Sequence, residues 1–330
     1  MTGAPPCVCP PALCLGGDCE RCFGSKVAPL LPGRHVDTEA VRGYYIDLAF
    51  RAQFPAVAPP WLEAGNWHVA TCQAGLAGVE RFLDGDGDEW LAGAVAVARF
   101  LIEHQRRDGP HTGGWEHTVP FAHTFQVHPP WISAMAQGEG ASLLVRTYLH
   151  TGEEAFADAA RLALQPMRIP VAEGGAYALL GGRPFPEEYP TAPPSFVLNG
   201  AFFAFWGFYD VWRGLGDADA GQWFRDGVDT LAANMRRWDL GYWSRYDLHP
   251  HPMTNVASPS YHQLHMNLLR AMIEIEPRQE FGNTLTAFER QALSPRCRAR
   301  GLLGKAAFRV VVPRSETLNR HLPWMATRRS

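Results

Sequence analysis

No stretch of about 18 uninterrupted apolar residues occurs in the 330-residue chain, which argues against a helical membrane span. The opening residues, MTGAPPCVCPP, lack the basic-then-apolar layout of a secretory signal, so the expected location is cytoplasmic. The zinc-protease motif HExxH is also missing. DGDGDE, Asp84 to Glu89, alternates acids as calcium ligands would. Counted from Asp84, however, its sixth and twelfth positions are Glu89 and Val95, where an EF-hand loop needs glycine and glutamate. A helix-capping turn accounts for the run, and no metal site or cofactor is expected in the body of the chain.

Cysteine is scarce after residue 22. Of seven in all, only Cys72 and Cys297 lie beyond it, and Cys72 falls on an apolar face that reads as inert core. The other five crowd into CVCPPALCLGGDCERC. That spacing suits a small zinc knot, whereas the odd count and the Pro/Gly content suit a disordered or wrongly annotated leader, assigned to residues 1–34.

Net charge is only −3, but it is unevenly placed. From Arg296 onward nine Lys or Arg residues face one acid, Glu316; of 30 basic and 33 acidic residues this leaves 21 and 32 before that point. A body of −11 therefore carries a tail of +8, residues 294–330, expected to be a solvated end or a contact for a polyanion or membrane surface.

With 46% hydrophobic and 19% charged residues, the chain can build a large core. VRGYYIDLAFRAQFP reads as an extended arm, 35–61, whose Tyr44, Tyr45 and Asp47 pack over another surface. Four helical pairs follow, with first helices starting near Leu62, Trp131, Phe196 and Ser260, a repeat of roughly 65 residues. Each second helix opens with an aromatic after a polar turn: Trp90, Phe156, Trp223 and Phe281. The first helices are apolar nearly all round and the second amphipathic, as inner and outer layers would be. Turns within pairs are short and loops between pairs long, so the long loops emerge together at one end. The fold expected over 35–293 is all-α: an (α/α) toroid, incomplete if four hairpins do not close it, with little strand, mainly short hairpins in the loops and in the arm.

Those loops carry an unusual share of polar aromatics. The first holds Trp115 and the histidines at 111, 117, 123 and 128; the second Glu187, Glu188 and Tyr189; the third Trp243, Tyr246, Asp247, His249 and His251. The last inner helix begins SYHQLH, and helical spacing brings Tyr261, His262 and His265 toward one cleft. Taken singly, each has a bland reading as a packed or structural residue. Convergence at one end makes an acid/base cleft with aromatic walls.

The motifs GGW, WISAMAQGEGASLLVRTYLHTG, EEYPTAPPSFVLNG, YDLH and YHQLHMNLL resemble, in order and spacing, the C-terminal domain of D-glucuronyl C5-epimerases. The likeness runs from about Gly113 to about Leu293, in the manner of a short microbial homologue. Those enzymes invert C5 of glucuronate to iduronate in heparan-type chains, so the resemblance implies a toroid, polymer-level epimerisation without a redox cofactor, and tyrosines with a glutamate at the centre. By motif these would be Tyr189 and Glu188, Tyr246 and Tyr261. His249, His262, His265, Asn199, Gln137 and Trp115 are the expected substrate-binding side chains. An acidic, uronate-containing polysaccharide or oligosaccharide is the expected partner, with no nucleic acid; self-association as a homodimer is left open.

Two departures stand out. Where the family has YDLRH, this chain reads YDLHP, placing His249 at the arginine expected to meet the uronate carboxylate. The β-barrel that precedes the toroid in the animal enzymes does not fit ahead of GGW, and a body of −11 argues against a long sulfated substrate. The competing readings are a uronate lyase or glycosidase on the same toroid, and a non-catalytic carbohydrate-binding protein.

Overall fold

The structure is a computed structural model, describing residues 31–49, 68–118 and 124–314. Most of the Cys-rich leader, the end of the arm around Trp61, the expected helix start at Leu62, His123 and the tail beyond Arg314 fall outside the described residues.

Apolar periodicity becomes four helical pairs. They are α1 (His68–Leu83) with α2 (Asp88–His104), and α3 (Ala134–Thr151) with α4 (Glu154–Ala163). After them come α5 (Leu198–Leu215) with α6 (Ala218–Asn234), and α7 (Pro259–Ile275) with α8 (Gln279–Leu293). The first members pack in succession, α1 on α3, α3 on α5 and α5 on α7, while α2 meets α4 and α6 meets α8 outside them. This is the incomplete (α/α) toroid expected.

The inner position follows from composition. Every residue of α5 from Leu198 to Val211 is buried, as is every residue of α3 from Ala134 to Thr147. Their backbones touch: a Cβ on Gly207 would lie 2.5 Å from the Gly138 Cα, so only glycine permits that approach. Outer helices bury one face, as α4 does with Phe156, Ala157, Ala159, Ala160 and Ala163. Ser133, Asp217 and Ser258 cap α3, α6 and α7 by accepting a backbone N–H. Losing such a cap costs about 1 kcal/mol.

The long loops hold the only strands among the described residues: β1 (Glu116–His117) pairs with β2 (Trp131–Ile132), and β3 (Tyr177–Leu180) with β4 (Arg183–Pro186), both antiparallel. Backbone hydrogen bonds then tie loop to loop. Ala134 N–H donates to the Glu187 carbonyl at 3.0 Å, Leu198 N–H to Tyr246 at 3.1 Å, and Leu248 N–H to Ser195 at 3.1 Å. The expected convergence at one end is thus met by direct contact.

The arm meets the inner helices toward their other ends. Tyr44 and Tyr45 are fully buried against Phe203 and Trp206 of α5. Tyr45 donates to Asp210, which pairs with Arg146 of α3 at 2.6 Å; Arg146 Nε in turn donates to the Gly43 carbonyl at 2.7 Å. Tyr44 N–H donates to Glu80 of α1 at 2.5 Å. One strand of chain therefore satisfies buried charge on three inner helices at once.

Two expectations change. DGDGDE is not a side-chain cap: Gly87 occupies the cap position without such a bond. Instead Asp84 pairs with Arg34 and His35 of the arm, each at 2.7 Å, and Asp86 with Arg81 at 2.7 Å. Asp88 and Glu89 lie in the first turn of α2, where the helix dipole favours acids. Nor does the chain become a mere solvated tail at 294. Ser294 caps a further helix, α9 (Pro295–Val311), with Pro295 at its first position, and α9 packs on α7 and α8.

Candidate active site

The dipeptide Glu187–Glu188 sends its two carboxylates to different tasks. Glu187 is fully buried and accepts from Ser195 N–H at 2.8 Å, Ser195 O–H at 2.5 Å and Phe196 N–H at 3.0 Å. It zips the loop 187–196 shut and holds Phe196 at a φ of 46°, a left-handed conformation that a bulky residue keeps only when its surroundings fix it. Burial nonetheless pushes the Glu187 carboxyl up to about 8, against the pull of those donors.

Glu188 turns toward the tyrosines. It is 6% exposed, accepts from Asn199 Nδ2 at 3.3 Å and is hydrogen-bonded by the Tyr189 hydroxyl. Burial raises it to about 7. Gly200 makes the space: a Cβ there would lie 2.5 Å from Glu188 Oε2 and 2.6 Å from its Cβ.

Tyr189, Tyr246 and Tyr261 share one apolar cluster with Phe125, Val197, Trp243, Val256 and Ala257. Tyr246 and Tyr261 meet edge-on, ring centroids 4.9 Å apart. Tyr189 stacks on Phe125 at 4.9 Å and lies 6.0 Å from Trp131. Each tyrosine comes from a different segment: Tyr189 from the second long loop, Tyr246 from the third, and Tyr261 from the first turn of α7, where its N–H donates to the Ser258 cap at 3.3 Å. Burial first, then nearby Glu188, raises the hydroxyls of Tyr189 and Tyr246 well above their ordinary value. Both therefore hold their protons at neutral pH.

The expected substrate-binding side chains divide. Asn199 stays at the site as the partner of Glu188. His249 is close by, 5.6 Å ring to ring from Phe125, but 5% exposed with its Nδ1 3.4 Å from the Pro194 carbonyl. Gln137 and Trp115 belong to the core instead. Gln137 spends its amide on the Gly113 and Ala163 carbonyls and on Trp115 N–H, and Trp115 Nε1 donates to Leu101. His262 stacks on Trp243 at 3.8 Å and bridges Ser244 and the Phe288 carbonyl, while His265 is fully buried with Nδ1 2.9 Å from Ser244. Burial lowers these two imidazoles to about 4 and about 3, so they are neutral supports of the third loop and no grip for an anion.

Other residues at the site were not singled out from the sequence. Phe125 and Trp131 form walls, Trp131 itself stacked on His117 at 3.9 Å. Lys305 of α9 places its Nζ 5.4 Å from the Tyr246 ring centroid, and Arg309 donates to Thr124 at 2.7 Å. The excess of positive charge after residue 294 was the available signal, but it carried no position. Among the described residues no group of His, Cys, Asp and Glu is placed to hold a metal ion, and no helix is long and apolar enough to cross a membrane.

Fold and site together define a helical toroid with a tyrosine–carboxylate cluster at its long-loop end. Within that class, the chain belongs to the family described as D-glucuronyl C5-epimerase C-terminus, whose model matches residues 108–290. It is 32% identical over 207 residues to the D-glucuronyl C5-epimerase of Caenorhabditis elegans, covering 57% of this chain and 33% of that protein. It is also 29% identical over 157 residues to the uncharacterized protein MJ1128 of Methanocaldococcus jannaschii, covering 46% of this chain and 50% of the other. The chain thus spans a third to a half of the length of these curated relatives. Among solved structures it is similar to an unsaturated glucuronyl hydrolase from Bacillus sp. GL1, with 16% identity, a TM-score of 0.45 and coverage of 68% of this chain and 60% of that one.

Proposed function

We propose that this chain is a carbohydrate isomerase that epimerises C5 of uronic acid residues, D-glucuronate to L-iduronate, within an acidic polysaccharide or oligosaccharide. The observation that carries the reading is the grouping of Tyr189, Tyr246 and Tyr261 around the buried Glu188. C5 of a uronate lies next to its carboxylate, so removing the proton leaves an enediolate with a second negative charge. Such a weak carbon acid needs a held base on one face and an acid on the other. Tyr189, whose own proton points at Glu188, takes the C5 proton as Glu188 takes the hydroxyl proton. The C5–H electron pair moves into the carboxyl group. Tyr246 or Tyr261 then donates to the opposite face, the pair returns to C5, and the centre is inverted with no net oxidation. Solvent exchange resets the protons.

The test is incubation with heparosan in deuterated water. Deuterium at C5 and new iduronate signals in the proton spectrum are expected. A wild-type enzyme that leaves a broad panel of uronate polymers unlabelled refutes the proposal. New ultraviolet absorbance from an unsaturated sugar would assign the same proton abstraction to a lyase.

A further inference from the structure

Cations are sparse inside this fold, and two of them meet at the tyrosines. Lys305 is one of only two lysines in a chain that otherwise uses arginine, and it lies half-buried on α9. Its Nζ is 5.4 Å from the ring centroids of both Tyr246 and Phe308 and donates to Asn255 Oδ1 at 2.8 Å. Arg309, one helical turn on and so on the same face of α9, donates to Thr124 Oγ1 at 2.7 Å, next to the Phe125 that stacks on Tyr189.

The helix is fixed in that pose. Gly301 lies against Trp243, where a Cβ would come within 2.8 Å of the ring; Arg300 stands over Tyr242 at 3.7 Å; Phe308 is fully buried beside His251. Among the described residues neither cation is ion-paired. The nearby carboxylate, Asp247, is occupied by His251, by Asn255 and by the His249 N–H. Burial first, then the neighbouring Arg309, lowers the Lys305 ammonium to about 7, against the pull of Asp247. A half-buried cation pair with no ion-pair partner among the described residues is suited to receive an anion.

We propose that Lys305 and Arg309, both from α9, bind the carboxylate of the reacting uronate and hold it against the tyrosine cluster. This rests on the uronate reading above and deepens it. The pair supplies the cationic help that His249, buried beside the Pro194 carbonyl, is not placed to give. It also stabilises the enediolate, on which the second negative charge collects. α9 lies outside residues 108–290, so this anion site belongs to a part of the chain that the family segment does not include.

Calorimetric binding of a heparosan-derived oligosaccharide and of its carboxyl-reduced counterpart tests the assignment without requiring turnover. The wild-type protein should prefer the acid form. Lys305→Gln and Arg309→Gln should each weaken that form by about tenfold or more and leave the reduced form unchanged, whereas Arg309→Lys keeps most of the preference. Circular dichroism melting of the same variants separates a lost contact from a lost fold. A wild-type protein that does not discriminate the two sugars, or folded Gln variants that keep the full preference, would overturn the proposal. Absence of C5 exchange alongside carboxylate-selective binding through Lys305 would instead refute only the epimerase reading.

Discussion

Replacing Glu188 with glutamine should stabilise the folded chain at alkaline pH while removing its activity. In the fold this carboxylate is 6% exposed and receives one long bond, 3.3 Å, from Asn199 besides that of the Tyr189 hydroxyl. Burial moves it from an ordinary 4.5 to about 7. The sign follows from linkage: between those values the folded state holds a proton that the unfolded chain has released, so stability falls as pH rises through the window. At 1.36 kcal/mol for each pH unit, the ionised carboxylate costs about 3 kcal/mol above pH 7. Glu188→Gln keeps the shape, removes the charge, and should recover most of that cost. Urea unfolding of the two proteins across about pH 5 to 8 reads it directly. The variant should gain about 3 kcal/mol at the upper end, or about 4 °C in Tm, and nothing near pH 4.5. C5 exchange should meanwhile fall by at least about a hundredfold. A stability difference that does not change with pH, or a variant less stable at pH 8, would refute the claim that Glu188 is held at a cost.

Tyr261→Phe should lower kcat by about a hundredfold or more with KM and melting temperature nearly unchanged. Tyr189→Phe should lower kcat as far while costing about 1–3 kcal/mol for the bond lost to Glu188, both measured by deuterium incorporation at C5 and by melting. Gly200→Ala puts a methyl where the Glu188 side chain passes, so activity should drop sharply while the mutant stays folded; full activity would show that Glu188 has room to move. Arg146→Met leaves Asp210 buried without its ion-pair partner and should cost about 3–5 kcal/mol in chemical denaturation, with KM of the surviving folded enzyme unaffected.

The architecture was legible because two periods repeat in the sequence. Helical spacing of apolar residues marked each pair, and the alternation of short turns with long loops fixed which ends converge. Tyr189, Tyr246 and Tyr261 could be picked out because they lie in long loops or at a helix start and in motifs, EEYP, YDLH and YHQLH, that resemble the family's. Gln137 and His262 show where such reading stops. Both are polar residues near helix starts, and their residue type alone does not say whether they face a cleft or close hydrogen bonds inward. That depends on partners far along the chain, the Ala163 carbonyl for one and the Phe288 carbonyl for the other. The segment after Ser294 failed for a related reason. Its arginines and glycines weaken any apolar period, and its position is set by tertiary contacts such as Gly301 on Trp243.

The buried link from the arm through Tyr45 and Asp210 to Arg146 sets a limit on dissection. Residues 108–290 form the recognisable family segment, yet cutting there would strand an internal guanidinium and carboxylate without the Gly43 carbonyl and Tyr45 hydroxyl that complete them. It would also expose the face of α3 that α1 covers. The evolutionary unit and the folding unit of this protein therefore do not coincide: the shortest autonomous piece has to begin before Tyr44.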